Sequence, residues 1–141
     1  MIRRVLLIAI LFSTAVAFAD ELEDAMRLIM SGDISRGIAA LTALAEKGNV
    51  QAQLFLGHGY QHANPVIKEP DAAVAMRWFL RASGEGSGEA SARIADMYAS
   101  GAGVTKSVEK AGEWWALASK QVGIRRKSML PASFEDQARA T

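Results

Sequence analysis

The sequence contains no cysteine. That absence removes disulfides, thiolate nucleophiles, cysteine-ligated metals and lipid attachment at a cysteine. Histidine is scarce too, with two in 141 residues, His58 and His62. A nucleophile with a positioned base is then left to carboxylate chemistry, and no spacing pairs the carboxylates. The chain therefore reads as a non-enzyme with no cofactor. An excess of positive charge is missing as well. The formal charge is only +1, and phosphate affinity needs a basic footprint, so nucleic acid is not expected as a partner.

What is present begins with a basic start, Arg3-Arg4, followed by the 15 uncharged residues Val5 to Ala19. Ala17-Phe18-Ala19 offers small residues at both positions that a signal peptidase reads, and Asp20-Glu21 opens a polar chain. This layout predicts a secretory signal over residues 1–19. An uncleaved anchor would need about 20 apolar residues to cross a membrane. A competing cut after Ala17 would move the start by two residues. Removing residues 1–19 leaves 122 residues with 14 basic and 15 acidic side chains, a comfortable single domain. Without disulfides, an exported chain must be held by its core. At this length folding buries about two-thirds of the unfolded surface, which suffices.

Self-similarity organises the rest. Asp33, Asp71 and Ser107 are spaced 38 and then 36 apart. Each is a good helix N-cap, because its side-chain oxygen can accept from a free backbone N–H of the first turn. Four residues on come the small residues Gly37, Ala75 and Ala111, and seven on come Ala40, Trp78 and Trp114. Gly48 and Gly86 close the first two segments with a left-handed turn, and Gly123 is expected to close the third, one residue late. Asn49 and Ser87 are again N-cap types, 38 apart. They precede Ala52 and Ala90, Leu56-Gly57 and Ile94-Ala95, then Tyr60 and Tyr98. Two extra residues fall in the loop 61–70.

Apolar spacing marks these segments as helices. Ile34, Ile38, Leu41 and Leu44 share a face, as do Val74, Trp78 and Ala82, then Val108, Ala111, Trp114 and Ala118. No alternating run suggests a strand. The expectation is all-α, with helical hairpins at about 20–48, 49–86 and 87–123 stacked in a row and a terminal cap or tail over 124–141. Each hairpin has an apolar face that only stacking can bury. In the tail, Ser133 could cap a short helix with Asp136 completing a box-like arrangement.

The series Ala52, Leu56-Gly57, Tyr60, Asp71, Ala75, Trp78 resembles the Sel1-like repeat, a relative of the tetratricopeptide repeat. A second copy reads Ala90, Ile94-Ala95, Tyr98, Gly101-Ala102-Gly103-Val104, Ser107, Ala111, Trp114. The resemblance covers residues 24–123. It departs at Gly59, where the family has a bulky apolar residue, at the glycine-free 61–70 loop, and at Ala40 in place of tryptophan. It implies a right-handed αα-hairpin solenoid of about three repeats and an adaptor or scaffold role, in bacteria often in the envelope. Tetratricopeptide-like geometry would put Gln51, Leu54, His58 and Gln61 on a concave groove, with Glu89, Ala92, Asp96 and Ala99 aligned to them. The groove would receive a peptide or a partner protein weakly, since it holds few large anchoring side chains.

Other features have plainer readings. The glycines of 84–88 serve as an inter-helix turn and match neither a dinucleotide loop nor a nucleophile elbow. Residues 100–107 end like a phosphate loop but lack its flanking glycines. His58 and His62, at i and i+4, could approach one metal ion, yet no third ligand accompanies them. Trp78 and Trp114 hold the packing position of the repeat, and Trp115, aligned with Phe79, is expected to be buried between units. Arg125-Arg126-Lys127 reads as a solvated tail segment. The alternatives to an adaptor are a self-associating structural protein, an envelope hydrolase or a metal-binding protein.

Overall fold

The structure, a computed structural model, describes residues 19–129, with side chains through residue 123. The signal segment and the capping arrangement at Ser133 lie outside the described residues. Six helices and no strand occur among those described. Residues 19–30 form α1, followed by α2 (Ile34–Glu46), α3 (Val50–Gln61), α4 (Ala72–Gly84), α5 (Gly88–Ser100) and α6 (Val108–Met129).

Helices α2 to α6 each start where the sequence supplies an acceptor. Asp33 Oδ1 accepts from the Arg36 N–H at 3.4 Å, and Asn49 Oδ1 accepts from the Ala52 N–H at 2.9 Å. Asp71 Oδ1 accepts from Ala73 and Val74 at 2.9 and 3.0 Å. Ser87 and Ser107 Oγ accept from Ala90 and Lys110, both at 3.2 Å. Such caps satisfy orphan first-turn donors, and each stabilises by about 1 kcal/mol. The turns between hairpins repeat as well. Gly48 and Gly86 have φ of 92° and 86°. The N–H of the next residue then reaches back to Leu44 or Ala82, at 3.0 Å in both copies. That left-handed step is nearly free only for glycine.

The two long loops close alike despite their unequal lengths. The Asp71 N–H donates to the Tyr60 carbonyl at 2.8 Å, and the Ser107 N–H donates to the Tyr98 carbonyl at 2.9 Å. In both copies the cap of the following helix is tied to the tyrosine of the preceding one, whatever lies between.

The chain divides into two compact units, Met1–Trp78 and Phe79–Thr141. In the first, Leu41, Leu44 and Ala45 of α2 pack with Ala52 and Leu56 of α3 and with Ala25 of α1. Fully burying a leucine side chain contributes roughly 1.5–3 kcal/mol, so these side chains dominate the unit. In the second unit Phe79, Ala82, Ala90, Ile94, Met97 and Ala111 are fully buried.

A ring of polar groups sits inside this second core. The Ser83 and Ser91 hydroxyls lie 2.6 Å apart, and Ser91 Oγ donates to Gln121 Oε1 at 2.6 Å. Ser83 must then be the donor to Ser91, since a hydroxyl carries one proton. Gln121 Nε2 closes the ring on the Ser83 carbonyl at 2.9 Å. The first unit does the matching job differently, with Gln53 Nε2 donating to the Ala45 carbonyl at 2.9 Å.

Three expectations change. Gly123 does not end a helix, and α6 continues to Met129. Gly48 and Gly86 are followed at once by an N-cap residue that starts a new helix. Gly123 is followed by Ile124, so nothing competes with propagation. The Arg125-Arg126-Lys127 cluster accordingly belongs to α6 rather than to a tail. Trp115, expected to be buried, is 45% exposed, whereas the aligned Leu41 and Phe79 are at 0%.

Candidate functional site

In the first unit, Gln51, Leu54, His58 and Gln61 recur along α3 at spacings of three and four residues, which brings them to one side of the helix. Their availability differs. Gln51 is exposed and His58 and Gln61 are half-buried, but Leu54 is only 7% exposed. Leu54 is thus core rather than an anchor for a partner, because a side chain already removed from water offers no apolar surface to bury. His58 and His62 do not share a helix face. His62 is the C-cap with extended backbone, φ −136° and ψ 136°, so its side chain leaves the helical register. Among the described residues no three His, Asp or Glu side chains converge.

The loop beyond His62 is built around Asn64. Its Oδ1 accepts from the Val66 and Ile67 N–H groups at 2.9 and 2.7 Å. Its Nδ2 donates to the Gly59 and His62 carbonyls, both at 3.1 Å. This side chain replaces the missing glycines as the organiser of the turn. It also drives Ile67 inward, where that residue is 7% exposed. A Cβ added at Gly59 would lie 2.5 Å from Ile67 Cδ1. The aligned position in the next repeat is Met97, fully buried. Gly59 and the unusual loop are therefore one feature: the apolar volume that α5 supplies from Met97 is delivered to the first unit by Ile67.

The loop also walls a cleft of about 710 Å³, lined by Ile34 and Ile38 of α2, Tyr60, and residues 65–71. Sequence reading missed it. The signal available was the glycine at 59 opposite methionine at 97, which says that a large side chain must arrive from elsewhere.

In the second unit, Glu89 and Asp96 are both exposed on α5, and Ala92 and Ala99 are half-buried. Asp96 Oδ2 lies 3.8 Å from Arg93 Nη1, a loose surface pair of little energetic weight. Glu89 and Ala92 line a groove of about 670 Å³ with Trp115, Ala118, Ser119 and Val122. Asp96 is not part of it. The Lys110 ammonium sits 5.3 Å from the centre of the Tyr98 ring, within cation–π range. The chemistry on offer in each unit is that of recognition, with amide, carboxylate and imidazole groups around small apolar surfaces.

Comparison with known proteins bears on the same residues. The model of the Sel1 repeat family matches residues 50–87 and 88–122. No curated protein matches the sequence. Among solved structures, the chain is similar to a Sel1 repeat protein from Oxalobacter formigenes, with a TM-score of 0.61 and 24% identity. The match covers 74% of this chain and 43% of the other, so the chain spans less than half the length of that protein. At this identity the likeness is one of fold.

Proposed function

The chain belongs to the Sel1 repeat family, and from that premise we propose that it is an exported adaptor of the bacterial cell envelope. Sel1 repeat proteins generally act as protein-interaction scaffolds, and the family is typically non-catalytic. The observation that carries the reading is the pair of consecutive family repeats over residues 50–122. Their first helices, α3 and α5, present Gln51, His58 and Gln61 in one unit and Glu89 and Asp96 in the other. We place peptide or partner-protein contacts on each of these sets of residues. Small contacts of this kind, with no buried aromatic anchor, fit weak or multivalent binding.

Export follows from the composition of residues 1–19. N-terminal sequencing of the protein recovered from the envelope fraction tests it. Asp20 is the expected first residue, Phe18 would indicate the competing cut, and retained Met1 would sink the proposal.

The adaptor reading is tested by photo-crosslinking in cells. A crosslinking amino acid at His58 or Asp96 is expected to trap a discrete protein adduct that an identical probe at Arg77 of α4 does not. Equal labelling at all three positions, or none at His58 and Asp96, would remove these helices as the binding surface.

A further inference from the structure

We infer that residues 62–70 form a hinged strap over the cleft of the first unit, latched by Ile67 and Asn64, which opens as one piece while α3 stays folded. Its attachment is slight for its length. Ile67 is the one buried residue of this segment, and residues 68–70 are exposed. Most of its hydrogen bonds turn inward. The Asn64 N–H donates to the Ile67 carbonyl at 3.0 Å, and Asn64 Oδ1 accepts from Val66 and Ile67. Pro65 and Pro70 have no N–H to give. Among the described residues, the bond that ties this lobe to the body of α3 runs from Asn64 Nδ2 to the Gly59 carbonyl, at 3.1 Å.

The ends, in contrast, are pinned. The Asp71 N–H donates to the Tyr60 carbonyl at 2.8 Å, so the strap begins and ends at one place, as compact surface loops do. It swings about that place without unwinding α3 or the first turn of α4. Local stability follows the apolar surface and the hydrogen bonds that an opening exposes. Opening the strap exposes one aliphatic side chain and breaks one bond to α3. Unfolding α3 exposes Ala52 and Leu56, both fully buried. What the opening uncovers is specific. Ile67 leaves the slot above Gly59, where an added Cβ would lie 2.5 Å from its Cδ1. Ile34, Ile38 and Tyr60, half-buried and lining the cleft together with the strap, lose its cover. The other repeat has no gate at this position, because the buried Met97 belongs to α5 itself. Access to the floor of the cleft is thus set by the strap equilibrium. This inference does not depend on the adaptor reading.

Native-state hydrogen exchange of the full chain at low urea tests it. The Val66 and Ile67 amides should share one opening equilibrium with little urea dependence, since little surface is exposed. Corrected for intrinsic rates, they should exchange at least about 100-fold faster than the Leu56 amide of α3, while the Asp71 amide keeps its protection. Gly59→Met sets in α3 the side chain that α5 carries at 97 and evicts Ile67. It should speed the Val66 and Ile67 amides by about 10-fold or more. Leu56 should respond several-fold less, because replacing glycine favours the helix whether the strap is open or shut. Should this variant not fold, the unmodified chain decides alone. Exchange of Val66 and Ile67 with the urea dependence of Leu56 would overturn the inference. So would unprotected amides at both positions, or equal acceleration of strap and helix in the variant.

Discussion

At the scale of single residues, glycine carries opposite meanings in this chain, and its substitutions separate them. Gly86 sits at φ 86° in a turn, where alanine is strained, and Gly86→Ala should destabilise by roughly 1 kcal/mol. Gly123 lies within α6 with open space around it. Gly123→Ala should stabilise by about 0.5–1 kcal/mol in dilute solution. Urea unfolding of the two variants checks the sign of each. Gly59 is a third kind, fixed by packing rather than by backbone. Gly59→Met should cost roughly 1–3 kcal/mol through overpacking, because its side chain meets Ile67. Adding Ile67→Ala should return part of that loss, giving a favourable coupling term in a double-mutant cycle. Strict additivity would show that the two positions do not compete for the same space. Ala75 and Ala111, both fully buried, carry the plain version of the same constraint, and leucine at either should again cost roughly 1–3 kcal/mol.

At the scale of elements, the caps and turns were the legible part. Asp33, Asn49, Asp71, Ser87 and Ser107 announce helix starts because a cap is a local bargain between one side chain and the next three N–H groups. Gly48 and Gly86 announce stops for a similarly local reason. What could not be read was whatever depends on a distant neighbour. Gly123 carries the residue type of a stop but lacks an N-cap after it, and the helix runs on. Trp115 carries the pattern of a buried position, but burial needs a following helix. Tetratricopeptide-like geometry puts Leu54 on the groove, but such a resemblance assigns a side and not a depth. The plug at Ile67 arrives from a loop, where no period exists to predict it. The polar ring of α4, α5 and α6 belongs to this non-local class too. Ser91→Ala should destabilise by roughly 1–3 kcal/mol, since it strands the Ser83 hydroxyl and Gln121 Oε1 in a buried setting. Pairing it with Ser83→Ala and Gln121→Leu should recover much of the loss, and thermal unfolding of the single and triple variants tests this.

At the scale of the whole molecule, a repeat chain has no single centre, so stability should be graded rather than uniform. The first helices of the second and third hairpins bury most, with Ala52 and Leu56 in α3 and Ala90, Ile94 and Met97 in α5 at 0% exposure. Native-state hydrogen exchange should find its slowest amides there and its fastest in α1 and in the last turns of α6. Equal protection along all six helices would contradict a nearest-neighbour architecture. The fold class itself was open to reading from sequence, because the repeat multiplies a weak local signal. The binding residues were less so, since Gln51, His58, Gln61, Glu89 and Asp96 occupy corresponding sides of their helices without announcing a ligand.

The link from each cap N–H to the preceding tyrosine carbonyl has a consequence for how such a chain can change. Residues 61–70 in one repeat and 99–106 in the other are bracketed by the same backbone clasp. The clasp holds register at its two ends and tolerates a different length between them. A difference of two residues between the copies is absorbed there without disturbing the helices on either side, while buried Ile67 still belongs to the core of the first unit. The second and third hairpins each carry such a segment, and through its exposed residues the surface of the protein can diversify while the scaffold beneath stays constant.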